Sequence, residues 1–121
     1  MPGAQQMDPS VWGPHLWFYL HTLPSSARDP ASIRRCIENL AIPCASCDKS
    51  FREFLHSNPT DSIKSTDSAH AYINSLHNFV NRKLGKREVS LEECKGMWCA
   101  ESRASAPSEG KDILDSVFNN Q

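Results

Sequence analysis

Ser68-Ala69-His70-Ala71-Tyr72-Ile73-Asn74-Ser75-Leu76-His77-Asn78-Phe79-Val80-Asn81-Arg82-Lys83-Leu84-Gly85 decides the fold. Ala69, Tyr72, Ile73, Leu76, Val80 and Leu84 recur at the spacing that places them on one face of a helix. Gly85 suits the position just past a helix end, where the backbone turns left-handed. An amphipathic helix is predicted over about residues 68–84. Beside its apolar face runs a second row, His70, Asn74, His77 and Asn81, with Asn78 further round. Asn is a poor helix former, and a merely solvated face would favour Glu, Lys or Gln. The row suggests a polar ligand lying along the helix. Arg82, Lys83 and Lys86 at its end would supply cations for phosphates, although cations also suit the last turn of any helix.

Working outward, every other segment also reads as helix. Asp8-Pro9 is an N-cap followed by proline at the first helical position, and the segment it opens is expected to stop at Pro24. Asp29-Pro30 opens a second, with Ile33, Ile37, Leu40 and Ala41 at helical spacing as far as Pro43. A third starts at the C-x-x-C of Cys44 and Cys47 and carries Phe51, Phe54 and Leu55. Residues 60–67 read as a polar loop. Ser90 and Glu93 form a capping box, with Val89 as hydrophobic staple, for a short fifth helix through Trp98. No alternating run suggests a sheet, so the fold class is all-α, a four-helix bundle plus a short fifth helix. One domain over 8–99 is expected, followed by a polar, flexible tail over 100–121.

Composition narrows the partners. With 13 basic and 14 acidic residues in 121, neither nucleic acid nor an anionic membrane is an expected partner. No apolar run approaches the roughly 20 residues of a membrane span. Met1 to Ser10 lacks the pattern of a secretory or transit peptide, so a soluble chain without an address is expected.

Five cysteines are many for so short a chain. Cys44 and Cys47 lie where one helix has ended and the next begins. Unpaired N–H groups and the positive dipole end there stabilise thiolate, the attacking and leaving species of disulfide exchange. Half of a zinc site is the competing reading, completed from Cys94, Cys99, His56 or His70 in a zinc-stabilised helical adaptor. The first helix is rich in rings, Trp12, Trp17, Tyr19 and His21, as a core or a flat cofactor would need.

Three segments together resemble the Erv/ALR family of FAD-linked sulfhydryl oxidases. They are Trp12-Gly13-Pro14-His15-Leu16-Trp17-Phe18-Tyr19-Leu20-His21-Thr22, then Pro43-Cys44-Ala45-Ser46-Cys47, then His77-Asn78-Phe79-Val80-Asn81-Arg82-Lys83-Leu84-Gly85-Lys86. The resemblance implies FAD within the helical bundle, usually in a homodimer, and oxidation of protein thiols by O2 with release of H2O2. It places Gly13, Trp17 and His21 along the flavin and adenine sites and Leu40 under the ring. His77, Asn78 and Asn81 fall on the adenine and ribose side, Lys83 and Lys86 near the pyrophosphate, and Trp98 closes the site. Cys47 becomes the flavin-proximal thiol and Cys44 the thiol that meets substrate. No metal is implied.

Two departures from the family pattern matter. A structural disulfide common in cellular members falls here on His56 and Asn74, so it is absent. A shuttle disulfide, which relays electrons from substrate in many members, has Cys94 and Cys99 as candidates. A local disulfide or free thiols are the alternatives for that pair, and Cys36 reads as a core or surface residue. Short length and the missing staple look most like the virus-encoded members. These work on viral or thioredoxin-like thiol proteins in host cytoplasm or virion; the mitochondrial intermembrane space is the location of the cellular alternative.

Overall fold

The computed structural model describes residues 8–27 and 29–98. Five α-helices follow in order: α1 (Pro9–Ser26), α2 (Pro30–Glu38), α3 (Ala45–Ser57), α4 (Thr66–Leu84) and α5 (Leu91–Trp98). A single 3-10 turn, Thr60–Ser62, precedes α4. No strand occurs among the described residues, so the all-α expectation holds. The tail expected over 100–121 lies outside them.

The caps fall where the side chains require them. Asp8 accepts the N–H of Ser10 at 3.0 Å and Asp29 that of Ser32 at 2.8 Å, each satisfying one of the orphaned donors at a helix start. Ser65 and Ser68 cap α4 reciprocally. Ser90 Oγ accepts from Glu93 N at 3.1 Å while Glu93 Oε1 accepts from Ser90 N at 3.0 Å, which is the expected box. Gly85 ends α4 at φ +71°, and its N–H and that of Lys86 reach carbonyls of the last turn.

Three boundaries differ from the sequence reading. Helix α1 continues past Pro24 to Ser26. Proline's fixed φ is helical, and near a helix end its missing N–H forfeits one hydrogen bond while the buried ring still packs. Helix α2 ends at Glu38 rather than at Pro43. Pro43 disfavours helical backbone just before it, and the carbonyls of Glu38 and Leu40 are taken instead by the Arg52 guanidinium of α3. Helix α4 begins at Thr66, two residues early, and the preceding loop is tied to the core. Ile63 is fully buried there, its carbonyl accepting from Arg34 at 2.6 Å, and Thr60 donates to Glu38.

Helix α4 is the axis of the bundle, packed chiefly on α1 and also on α2 and α5. Trp17, Leu20, Ile33, Ile37, Phe51, Phe54, Ile63, Tyr72, Ile73 and Leu76 form one continuous core. Ile37, Ile63 and Ile73 are entirely shielded, each stabilising the fold by roughly 1.5–3 kcal/mol. Phe54 joins α3 to α4 through Tyr72 at 5.5 Å and Phe79 at 5.3 Å between ring centroids. A second cluster holds α5 down, with Cys94 and Trp98 buried against Phe18, Val89 and Met97.

Gly85→Ala should lower stability by about 1 kcal/mol, because a Cβ is disfavoured at this positive φ although nothing crowds it. Urea unfolding measures the loss, and Gly85→Asn should recover part of it.

Candidate active site

Cys44 is the N-cap of α3. Its extended backbone, φ −164° and ψ 118°, lets Sγ accept the N–H of Cys47 at 3.4 Å. Ser46 Oγ lies 3.5 Å from the same sulfur. The Cys47 thiol beside it, then the Ser46 hydroxyl and the Cys47 backbone, hold the Cys44 thiol below its ordinary pKa. Cys47 moves the other way, raised by burial and then by its neighbour Cys44. Both are thiols in this structure. The pair is therefore divided, with Cys44 the more acidic thiol and Cys47 the less acidic one.

Beneath the middle of α1, four rings are stacked across three helices. Trp17 lies face to face with His77 of α4, centroids 3.7 Å apart and planes 8° from parallel. His21, one turn beyond Trp17, is stacked on Trp98 of α5 at 4.7 Å and 7°. The two histidines join the halves, His21 Nε2 standing 2.8 Å from His77 Nδ1. Burial, then His77 and His70, depress His21 to about 3; burial, then Lys86, depress His77 to about 4. Both imidazoles are neutral near pH 7, so a single proton lies between them. Cys94 Sγ sits 3.6 Å from His21 Nδ1.

The expected residues divide into several groups. Gly13, Trp17 and His21 share the buried face of α1, and His77 meets them from α4. Trp98 reaches the same stack. Asn81 is buried and its amide is 3.4 Å from Asn78 Oδ1. Asn78 itself is occupied by the chain: its amide donates to Val89 O and accepts from Val89 N, both at 2.8 Å. It fixes the turn into α5. Lys83 is exposed over the Phe79 ring at 5.1 Å, and the exposed Lys86 is close enough to lower His77. Leu40, expected within a helix, lies in the loop beyond α2 and packs on the core edge.

Cys94 is only 1 % exposed, so a substrate thiol reaches it only if α5 moves. Cys99 lies outside the described residues. The zinc alternative is not assembled: among the described residues no three His, Cys, Asp or Glu side chains gather as a metal would need. The geometry explains this, since His56 is about 18 Å along α3 from Cys44 while His70 and Cys94 are buried on other helices. His70 is fully buried with neither ring nitrogen hydrogen-bonded, and burial lowers its pKa. Sequence reasoning misses Asp48 and Arg52, which grip the loop before Cys44; their i,i+4 spacing on α3 reads as a solvated face.

The fold is thus a helical bundle that carries a dithiol at the start of α3 and a buried stack of flat rings between α1, α4 and α5. The chain belongs to the Erv1 / Alr family, whose profile matches residues 14–99. It is 26 % identical over 96 residues to a Frog virus 3 (isolate Goorha) protein, 088R, provisionally named as an FAD-linked sulfhydryl oxidase. The match covers 70 % of this chain and 64 % of that protein. To the FAD-linked sulfhydryl oxidase ERV1 of Arabidopsis thaliana it is 29 % identical over 91 residues, covering 68 % and 47 %. The chain thus spans roughly half to two thirds of these relatives' length. The yeast Erv1 core shares the fold, with a TM-score of 0.64 at 21 % identity, covering 82 % of this chain and 95 % of the other.

Buried neutral histidines make the fold acid-sensitive. Their folded pKa values lie below the unfolded value near 6.5, so the unfolded chain binds more protons and stability falls as pH drops from about 6.5 towards 3–4. Every tenfold loss of proton affinity on folding corresponds to about 1.4 kcal/mol. Urea midpoints should fall clearly between pH 7 and pH 4.5, and His77→Gln should flatten that slope.

Proposed function

We propose that this chain is an FAD-dependent thiol oxidase that makes disulfides in protein substrates, working through Cys44 and Cys47. The observation that carries the reading is the dithiol at the start of α3, where Cys44 is the N-cap and its Sγ accepts the N–H of Cys47 at 3.4 Å. The names of the Frog virus 3 and Arabidopsis relatives support FAD and thiol substrates.

The residues fit such a cofactor. Trp17, His21, His77 and Trp98 are flat and uncharged, and a cofactor ring would lie against them by parting the Trp17–His77 or His21–Trp98 stack. Asn81 follows His77 one turn along α4. Lys83 and Lys86 stand at the C-terminal end of α4 as cations for a pyrophosphate. A fully buried His70 without a hydrogen-bond partner costs about 1–3 kcal/mol, a cost that a bound polar group would relieve. When bound, FAD would accept two electrons and pass them to O2, yielding H2O2.

The chain's own part is thiol chemistry. Starting from the Cys44–Cys47 disulfide, a substrate thiolate attacks Cys44 Sγ. The S–S bond breaks and Cys47 leaves as thiolate, while substrate and Cys44 form a mixed disulfide. The second substrate thiol attacks the substrate sulfur of that bond, giving the substrate disulfide and releasing Cys44. Cys44 is the better leaving group of the two, because the N–H of Cys47 and the Ser46 hydroxyl stabilise its anion. The reduced pair then gives up two electrons, and with one O2 consumed the sum is one disulfide and one H2O2. Cys94 belongs to the wall of the site under His21, so we read delivery to Cys44 as direct rather than relayed through Cys94 and Cys99.

A homodimer with thiol-containing protein substrates, viral or thioredoxin-like, completes the reading. The missing staple at His56 and Asn74 and the Frog virus 3 relative favour the virus-encoded type, acting in host cytoplasm or virion. No described helix is long and apolar enough to cross a membrane.

Purified protein should be yellow and should consume oxygen with dithiothreitol. Cys47→Ser should keep the colour and reduce turnover by about two orders of magnitude or more. Colourless protein, or full turnover in Cys47→Ser, defeats the proposal. Cys94→Ser should retain activity on a protein dithiol, which a shuttle thiol would not.

A further inference from the structure

The segment entering the redox motif, residues 39–43, has no regular structure and follows a helix end. Its polar backbone groups are held from below by two side chains one turn apart on α3. Arg52 Nη1 donates to Glu38 O at 2.9 Å and Nη2 donates to Leu40 O, which ties the guanidinium fork to two carbonyls at the end of α2. Asp48 Oδ1 accepts from Ile42 N at 3.0 Å. The same carboxylate oxygen is 3.7 Å from Arg52 Nη2, so the two grips brace each other. Cys44 N then donates to Ile42 O at 2.8 Å, and Asp48 N to Cys44 O at 2.8 Å. Three of the carbonyl and N–H groups between α2 and the reactive sulfur, Glu38 O, Leu40 O and Ile42 N, are thus held by side chains of α3.

We infer that Asp48 and Arg52 are positioning residues for the Cys44 thiolate. Cys44 meets the N–H of Cys47 only in the extended N-cap conformation. A five-residue loop free to sample other conformations would leave that pose, and the stabilised fraction of thiolate would drop with it. Neither side chain touches the sulfur; both act through Ile42 and the end of α2.

The inference rests on the thiol-redox reading, but its test needs neither oxidase turnover nor cofactor. The sign of one substitution separates positioning from plain electrostatics. Removing an anion one helical turn from a thiol should, by charge alone, lower the thiol pKa and speed its alkylation. Asp48→Ala should do the reverse if the grip on Ile42 matters. Asp48→Asn keeps the acceptor oxygen while losing the charge, and should stay close to wild type. Arg52→Lys keeps the charge but loses the fork that spans two carbonyls, so it should behave like Arg52→Ala.

The experiment is iodoacetamide labelling of the reduced protein as isolated, across pH 5–10, with the Cys44 peptide quantified by mass spectrometry and folding checked by circular dichroism. A pKa raised by about half a unit to one unit in Asp48→Ala, Arg52→Ala and Arg52→Lys, with labelling at pH 7 slowed about threefold to tenfold, is the expected result. A lowered pKa in Asp48→Ala, or an Arg52→Lys profile matching wild type, overturns it. If a variant loses its helical signal, the same profile is taken from Ile42→Pro. That change deletes the N–H held by Asp48 and leaves both charges in place, so it should also raise the Cys44 pKa; an unchanged pKa overturns the inference. Oxygen uptake with dithiothreitol, run in parallel, reports on the oxidase reading alone.

Discussion

The hydrogen bond between His21 and His77 is the contact on which the site depends. It crosses from α1 to α4 inside the core, where an unpaired imidazole N–H would cost more than the bond itself contributes. Because both rings are neutral, one can donate and the other accept, and the shared proton fixes their relative tilt. Trp17 is laid on one ring and Trp98 on the other, so α5 takes its place from the same bond. Protonating both rings would set two donors against each other in a dry environment.

A different kind of constraint governs the dithiol. There the protein uses the start of a helix, where N–H groups lack carbonyl partners, and places one sulfur at the cap and the other at the third helical position. Two chemically identical thiols are shifted in opposite directions, Cys44 downward by the hydrogen bonds it receives and Cys47 upward by burial and by its neighbour. Phe54 and Phe79, 5.3 Å apart between ring centroids, pack the helix that carries the dithiol against the helix that carries His77.

Much of this was legible in the residues. The apolar period of α4, the Asp-Pro starts of α1 and α2 and the Ser90 box are local signals, and local physics decides them. The row His70, Asn74, His77 and Asn81 pointed to a polar site, and its members are largely buried beside the core. The ends of α1 and α2 were not legible, because Pro24 is carried by packing and the carbonyls of α2 are claimed by a residue fourteen positions away. Ile63 was hidden in a polar run for the same reason: Arg34 and Glu38 of α2 hold Ile63 O and the Thr60 hydroxyl, and Tyr72 of α4 holds Asn58 O just before the run. Asn78 shows the limit most clearly. The family resemblance suggested a ligand contact for it, and its amide is hydrogen-bonded to the backbone of Val89, a long-range pairing no local pattern reveals.

That amide also bears on how the site opens. An eight-residue helix has no standing of its own in water, since nucleation costs more than two turns of hydrogen bonds return. Helix α5 persists because Asn78 pins its leading turn and because Cys94 and Trp98 are buried. It is the shallowest cooperative unit around the ring stack, held at few points compared with α1 and α4. Loss of the Asn78 amide would therefore loosen α5 before α1 and α4, and with it the Trp98 ring stacked on His21.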